Sequence, residues 1–218
     1  AEQQIAQARH LAFEQSLADN SVVLLTNKQD SLPADIALIT RIHLFVLNWQ
    51  EFRALKQAIT IQWQKAGKSI PQISATVVAE SDAQSQIENA EKLAKADLVI
   101  ATIDTKIASA VDIGGAEDVL TQANSKNEQG KVSYEQLLTY QLQQAKQREV
   151  TSVLVVKGSP YLIQPYAELT DAILVTFDDR IYQKENQASS SPGYNTSMGV
   201  VFGLQKALGK LPVNLKID

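Results

Sequence analysis

Apolar residues along this chain gather into short unbroken runs, separated by longer amphipathic stretches. Seven runs read as strands: Val22–Thr26, Ile42–Leu47, Ile73–Ala79, Asp97–Ile103, Ser152–Val156, Ala172–Phe177 and Leu211–Ile217. Most show little in–out alternation, the pattern of strands covered on both faces. Phe52, Leu55, Ile59, Trp63 and Ala66 fall on one face of a helix, and Gly67 supplies a left-handed stop. Ser81 with Gln84, and Ser133 with Gln136, read as capping boxes opening two further helices, the first reaching to near Ala96. A helix from Gln3 to Ala18 comes first. Another, carrying Met198, Val201, Phe202, Leu204 and Leu208, comes last and closes at Gly209 and Lys210.

The strand–helix–strand order predicts right-handed crossovers and an α/β fold. It is a doubly wound, mostly parallel sheet of six to seven strands with helices on both faces, an α/β sandwich forming one domain over residues 1–218. The link between the first two strands is short for a helical crossover and contains Pro33, so the first strand is expected antiparallel or at an edge. Ser189–Gly193 reads as a flexible loop. The segment from Asp104 to Val132 is the outlier. It holds Gly114-Gly115 and Gly130, and it leaves the C-terminal end of the fourth strand, where open α/β sheets place their ligand crevice.

Composition narrows the chemistry. The 218 residues carry 20 basic and 24 acidic side chains, well mixed, for a net charge of −4. No basic stripe tracks a phosphate backbone, so no nucleic-acid partner is predicted. No apolar run approaches the roughly 20 residues of a membrane span, and the start, Ala1-Glu2-Gln3-Gln4-Ile5, does not read as a signal peptide. The absence of cysteine removes disulfides, thiolate metal sites and thiol nucleophiles, and suits an oxidising exterior and a cytosol equally. His10 and His43 are the only histidines and form no zinc site; His43, inside an apolar run, reads as a buried, hydrogen-bonded ring. Ile113-Gly114-Gly115 lacks dinucleotide-binding spacing, and neither a phosphate-binding loop nor a nucleophile elbow is present. No cofactor and no metal are predicted.

Five residues stand out as candidates for the rim of a substrate groove. Lys157 and Ser159 belong to Lys157-Gly158-Ser159-Pro160-Tyr161, a turn between strand and helix. Its amides could bind a hydroxyl or an anion, and ordinary capping by Ser159 with Pro160 at the first helical position explains it equally. Asp104, at the end of the fourth strand, can face a ligand or cap the next turn. Asp178, in Asp178-Asp179-Arg180, offers a carboxylate for acid–base or metal chemistry, against the plainer reading of a solvated turn with a local arginine pair. Trp49 opens its helix directly after a strand and could stack on a sugar, whereas Trp63 lies on the apolar helical face and reads as core.

The ordered pieces together resemble a known domain. They are Ala8-Arg9, Ser21–Asn27, Leu32-Pro33, Ala96–Ala101, Val153–Pro160, Ala172–Thr176, Gly199–Gly203 and Gly209-Lys210-Leu211-Pro212-Val213. In this order they resemble the C-terminal α/β domain of family 3 glycoside hydrolases, over nearly the whole chain. The resemblance implies a retaining hydrolase whose nucleophilic aspartate sits on a separate (β/α)8 barrel, a unit of about 250 residues that nothing here resembles. In the β-glucosidase branch the acid/base glutamate comes from a loop of this domain with a Glu-Gly-x-Asp-Arg-like run. The residues from Asp104 to Asp118 lack that run, so no role passes to Glu117 or Asp118. The N-acetylglucosaminidase branch, which keeps its acid/base histidine on the barrel, is the closer match. No catalytic residue is therefore expected in this chain.

The resemblance implies a non-catalytic companion domain of an enzyme acting on β-linked N-acetylglucosamine, bracing an N-terminal barrel of the same protein and walling its groove. Carbohydrate would be met through that barrel, and an exposed apolar face is expected, through which the isolated chain would form a homodimer. The alternative is a free-standing carbohydrate-binding or regulatory module. A metal-dependent enzyme built on Asp104 and Asp178 is a third reading, for which the sequence offers no clustered ligands.

Overall fold

The computed structural model describes residues 2–78, 90–105, 133–178, 180–183 and 189–211, with side chains of the first helix from residue 9 onward. In chain order its elements are α1 (Glu2–Ser21), β1 (Val23–Asn27), β2 (Arg41–Val46), α2 (Trp49–Lys65), β3 (Gln72–Val77), β4 (Leu98–Thr105), α3 (Tyr134–Gln147), β5 (Thr151–Gly158), α4 (Gln164–Ala167), β6 (Ala172–Thr176), β7 (Tyr182–Gln183), β8 (Ser189–Ser190) and α5 (Pro192–Val201).

The sheet has the order β1-β6-β5-β4-β2-β3. Strands β2 to β6 are parallel, and β1 pairs antiparallel with β6 at one edge. This is the doubly wound α/β fold expected from the strand–helix alternation, with the first strand antiparallel and at an edge. The short link holds because Asn27 folds it back: its amide donates to Leu32 O at 2.9 Å, while its Oδ1 accepts from Leu32 N at 2.9 Å and Ser31 Oγ at 3.0 Å.

Strand residues alternate between two apolar layers because successive side chains point to opposite faces. On one face Ile42, Leu44, Leu98, Ile100, Val153 and Val155 pack with α2 and α5 through Leu55, Ile59, Trp63, Met198 and Val201. On the other, Ala101, Ile103, Leu154, Val156, Ile173 and Val175 meet Leu138, Leu142 and Tyr166 of α3 and α4. Leu93, from the helical residues 90–94, joins Val99 and Ala145 in a smaller cluster. Trp63 is fully buried, edge-on to Phe202 at 4.5 Å, so the core reading of this residue is correct.

Caps set the helix ends. Ser133 and Gln136 form the predicted capping box of α3. Gly67 leaves α2 at φ +65°, as its place after Ala66 implied. The last helix departs from expectation. It ends at Val201, with Gly203 at φ +70° turning the chain away against Pro33. Leu204 and Leu208 lie beyond it and are exposed, and Gly209 does not close a helix but packs against the Ser21 backbone while donating to Val22 O at 3.0 Å. Ser189–Gly193 is not a flexible loop: Ser189 and Ser190 pair with Gln183 and Tyr182, Ser191 caps α5, and Pro192 and Gly193 are its first turn. The helix start at Ser81, the Asp104–Val132 segment beyond Thr105, and the strand reading from Pro212 onward lie outside the described residues.

Candidate functional site

The chain reverses its direction of winding between β2 and β4: β3 lies to one side of β2, and β5 lies to the far side of β4. The carboxyl ends of these two strands therefore flank the crevice where doubly wound sheets take ligands. Four elements send polar side chains into it. Strand β5 carries Lys157 on the same face as Val153 and Val155, directly beside its register partner Asp104 of β4. Thr102 sits two residues earlier on β4, α2 contributes Glu51 from its first turn, and α5 contributes Tyr194.

Glu51 is the centre of this group and is buried, as is Lys157. Its Oε1 pairs with Lys157 Nζ and accepts from Tyr194 OH at 3.2 Å. Its Oε2 accepts from Leu47 N at 2.9 Å and from Thr102 Oγ1 at 3.1 Å. Asn48 is the N-cap, accepting from Glu51 N at 3.0 Å, so main chain and side chain of Glu51 are both fixed by the start of α2. Burial first, then the negative charge of Glu51, push the Tyr194 phenol well above its usual value, so it stays a donor. From the opposite face Tyr134 donates to Thr102 O, and burial raises its phenol strongly as well.

Asp104 stands at the lip, its Oδ2 3.6 Å from Lys157 Nζ and its side chain 36% exposed. It also lines an open groove of about 670 Å³ that runs along α3, with Glu135, Gln136, Thr139, Tyr140 and Tyr166. Glu135, Gln136 and Tyr140 are exposed on the helix surface, so among the described residues this groove is an open one.

The other candidates resolve separately. Ser159 accepts from Tyr161 N at 3.4 Å as cap of a single turn, Pro160–Leu162, and its carbonyl takes the Thr105 hydroxyl at 2.6 Å; this is capping chemistry. Asp178 pairs with Arg180 Nε at 2.9 Å, the local pair expected; the Asp178 side chain is only 10% exposed, while Arg180 beside it is 49% exposed. Arg180 reaches on to Glu14 of α1 at 2.6 Å, and Tyr182 OH meets the same carboxylate at 2.5 Å. Asp178 thus ties the chain after β6 to α1. Trp49 is 42% exposed, edge-on to Phe52 at 5.3 Å. His43 is wholly buried between Ser74 and Thr76.

Three residues of the cluster, Glu51, Thr102 and Tyr194, escaped the sequence reading. The available signal was Asn48 followed three residues later by Glu51, a capping-box spacing just after a strand. Lys157 at the end of an apolar run was the visible half of a pair. Among the described residues no three of His, Cys, Asp and Glu converge as a metal site.

Comparison with known proteins finds parts of several glycosidases that are similar to this chain. No family model matches the chain. It is 27% identical over 176 residues to a β-hexosaminidase A from Pseudoalteromonas piscicida, an alignment covering 80% of this chain and 28% of that protein. A β-glucosidase from Erythrobacter marinus superposes with a TM-score of 0.60 at 16% identity, covering 90% of this chain and 29% of that one. A fungal multi-domain family 3 β-N-acetylglucosaminidase superposes with a TM-score of 0.58 at 16% identity, covering 97% and 20%. In sequence and in fold the chain thus resembles the C-terminal α/β domain of family 3 glycoside hydrolases, as its motifs indicate. It spans less than a third of the length of each of these relatives.

Proposed function

We propose that this chain is the non-catalytic α/β companion domain of a family 3 glycoside hydrolase acting on β-linked N-acetylglucosamine. The observation that carries the reading is the alignment of 80% of the chain with 28% of a β-hexosaminidase. The domain braces a (β/α)8 barrel of the same protein, and the retaining chemistry belongs to that barrel.

The strand-end surface supports such a role. Leu47 and Trp49 after β2, Tyr161 and Leu162 after β5, and Phe177 after β6 are all exposed large apolar residues. They rise around the lip that carries Asp104, so one edge of the sheet combines an apolar rim with a carboxylate. A rim of this kind suits a protein partner and the wall of a sugar-binding groove. Lys157 has no free charge to offer there, since Glu51 takes it inside. Its place in the site is structural, and Asp104 is the charged group presented at the lip.

Purified chain incubated with an aryl β-N-acetylglucosaminide tests the negative half of the proposal. No turnover is expected above buffer. Turnover that follows the chain through purification and falls in Asp104→Asn or Glu135→Gln would refute it, because the groove along α3 would then be the active site.

A second reading, a free-standing carbohydrate-binding module, draws on that same groove. Its carboxylates, carboxamide, hydroxyl and tyrosine rings match the hydrogen-bonding and stacking needs of a short neutral glycan. Calorimetry with chitobiose separates the two: saturable binding lost in Tyr140→Ala supports the module, and no binding supports the companion.

A further inference from the structure

The switch-point crevice is already occupied by the chain itself. In open α/β folds the helix that follows the strand offers its first amides to a ligand anion. Here Glu51, in the first turn of α2, folds its carboxylate back to the Leu47 amide at the end of β2. Its carboxylate collects four donors of four chemical kinds: the Leu47 amide, the Thr102 hydroxyl, the Tyr194 phenol and the Lys157 ammonium. They come from the end of β2, from β4, from α5 and from β5. A structural ion pair requires one cation. A buried carboxylate ringed by an ammonium, an amide and two hydroxyls has the donor set of an oxyanion-binding site.

We propose that this is a small-oxyanion site whose resident ligand is the Glu51 carboxylate, and that a free carboxylate ion takes the same seat once that side chain is removed. The ligand class is a one- or two-carbon carboxylate, the size of the group it replaces. The proposal does not depend on the companion reading, since it concerns only groups within this fold.

The test is chemical rescue in the full chain. Thermal unfolding of Glu51→Ala is followed in sodium formate and sodium acetate against sodium chloride at matched ionic strength. The variant is expected to melt below wild type in chloride and to gain stability with formate along a saturation curve, as a ligand that binds only the folded state requires. Wild type and the isosteric Glu51→Gln, whose seats are filled, are expected to show no formate effect beyond chloride. Glu51→Ala/Lys157→Met, which lacks the cation, is also expected to show none. An equal formate effect on all four proteins, or none on Glu51→Ala, overturns the proposal. If Glu51→Ala does not fold in chloride, refolding from urea gives the same decision: recovery of native near-ultraviolet circular dichroism in formate alone supports the site, and no recovery at any formate concentration overturns it.

Discussion

The imidazole Nε2 of His43 lies 3.0 Å from Thr76 Oγ1 across the parallel β2–β3 pairing, and Nδ1 lies 2.9 Å from Ser74 Oγ. The ring is fully buried, and a neutral imidazole meets both hydroxyls, donating through one nitrogen and accepting through the other. Burial first, then the positive charge of Lys92, hold its pKa down at about 4, below its usual 6.5.

Stability should therefore depend on pH through this ring. The unfolded chain takes up a proton near pH 6.5, and the folded chain resists until about pH 4. The contribution of His43 is complete above pH 6.5 and falls as the pH drops toward 4, by up to about 3 kcal/mol. Urea unfolding at pH 7, 5.5 and 4.5 reads the loss. A His43→Leu variant is expected to show a flatter profile over that window, even though it is less stable at pH 7. An unchanged slope would mean that the ring is not the titrating group.

Glycine at two positions answers to different physics, and paired substitutions should separate them. A Cβ at Gly193 would press on Thr176 Oγ1 and come 2.7 Å from the Asp178 carbonyl, where α5 abuts the end of β6. Gly193→Ala is expected to cost about 1–3 kcal/mol through this overpacking, and Gly193→Asn more. Gly67 has nothing within 4 Å and a φ of +65°. Gly67→Ala is expected to cost about 1 kcal/mol for the left-handed backbone alone, and Gly67→Asn less, since asparagine tolerates that region. Urea midpoints of the four variants check the opposite ordering at the two sites.

The sequence showed what is local and hid what is distant. The fold class followed from apolar runs that need cover on both faces. The end of α2 at Gly67 and the start of α3 at Ser133 were legible because each cap is written within four residues. The antiparallel edge strand followed from the short link held by Asn27. The end of α5 was misread because apolar spacing continues through Leu204 and Leu208 after the helix has stopped at Val201 and Gly203 has turned the chain, and periodicity does not register a positive φ. The charged cluster was half visible. Lys157 in a buried strand demands a counter-charge, yet Glu51 lies 106 positions away and Tyr194 is 143 positions from Glu51. Pairings at that distance depend on strand order, which the sheet supplies and the local pattern does not. Ser159 and Asp178 looked chemical in sequence because capping and turn-forming residues are the same polar types that catalysis uses.

The apolar rim at the strand ends makes the last prediction. Trp49 is 42% and Phe177 50% exposed, and their neighbours on the rim, Leu47, Tyr161 and Leu162, are exposed as well. None of the five belongs to the buried core, so removing their side chains should leave the fold intact. A Trp49→Ser/Phe177→Ser variant is expected to unfold within about 0.5 kcal/mol per substitution of wild type. It should differ in association: light scattering across a concentration series should show the wild-type chain pairing through this face and the variant remaining monomeric. Binding of a hydrophobic dye should fall in parallel. If wild type and variant scatter alike and bind dye alike, the rim is not an interface, and bracing of a barrel through the strand ends loses its support. A loss of stability matching the loss of association would instead place the two side chains in the fold, where their exposure says they are not.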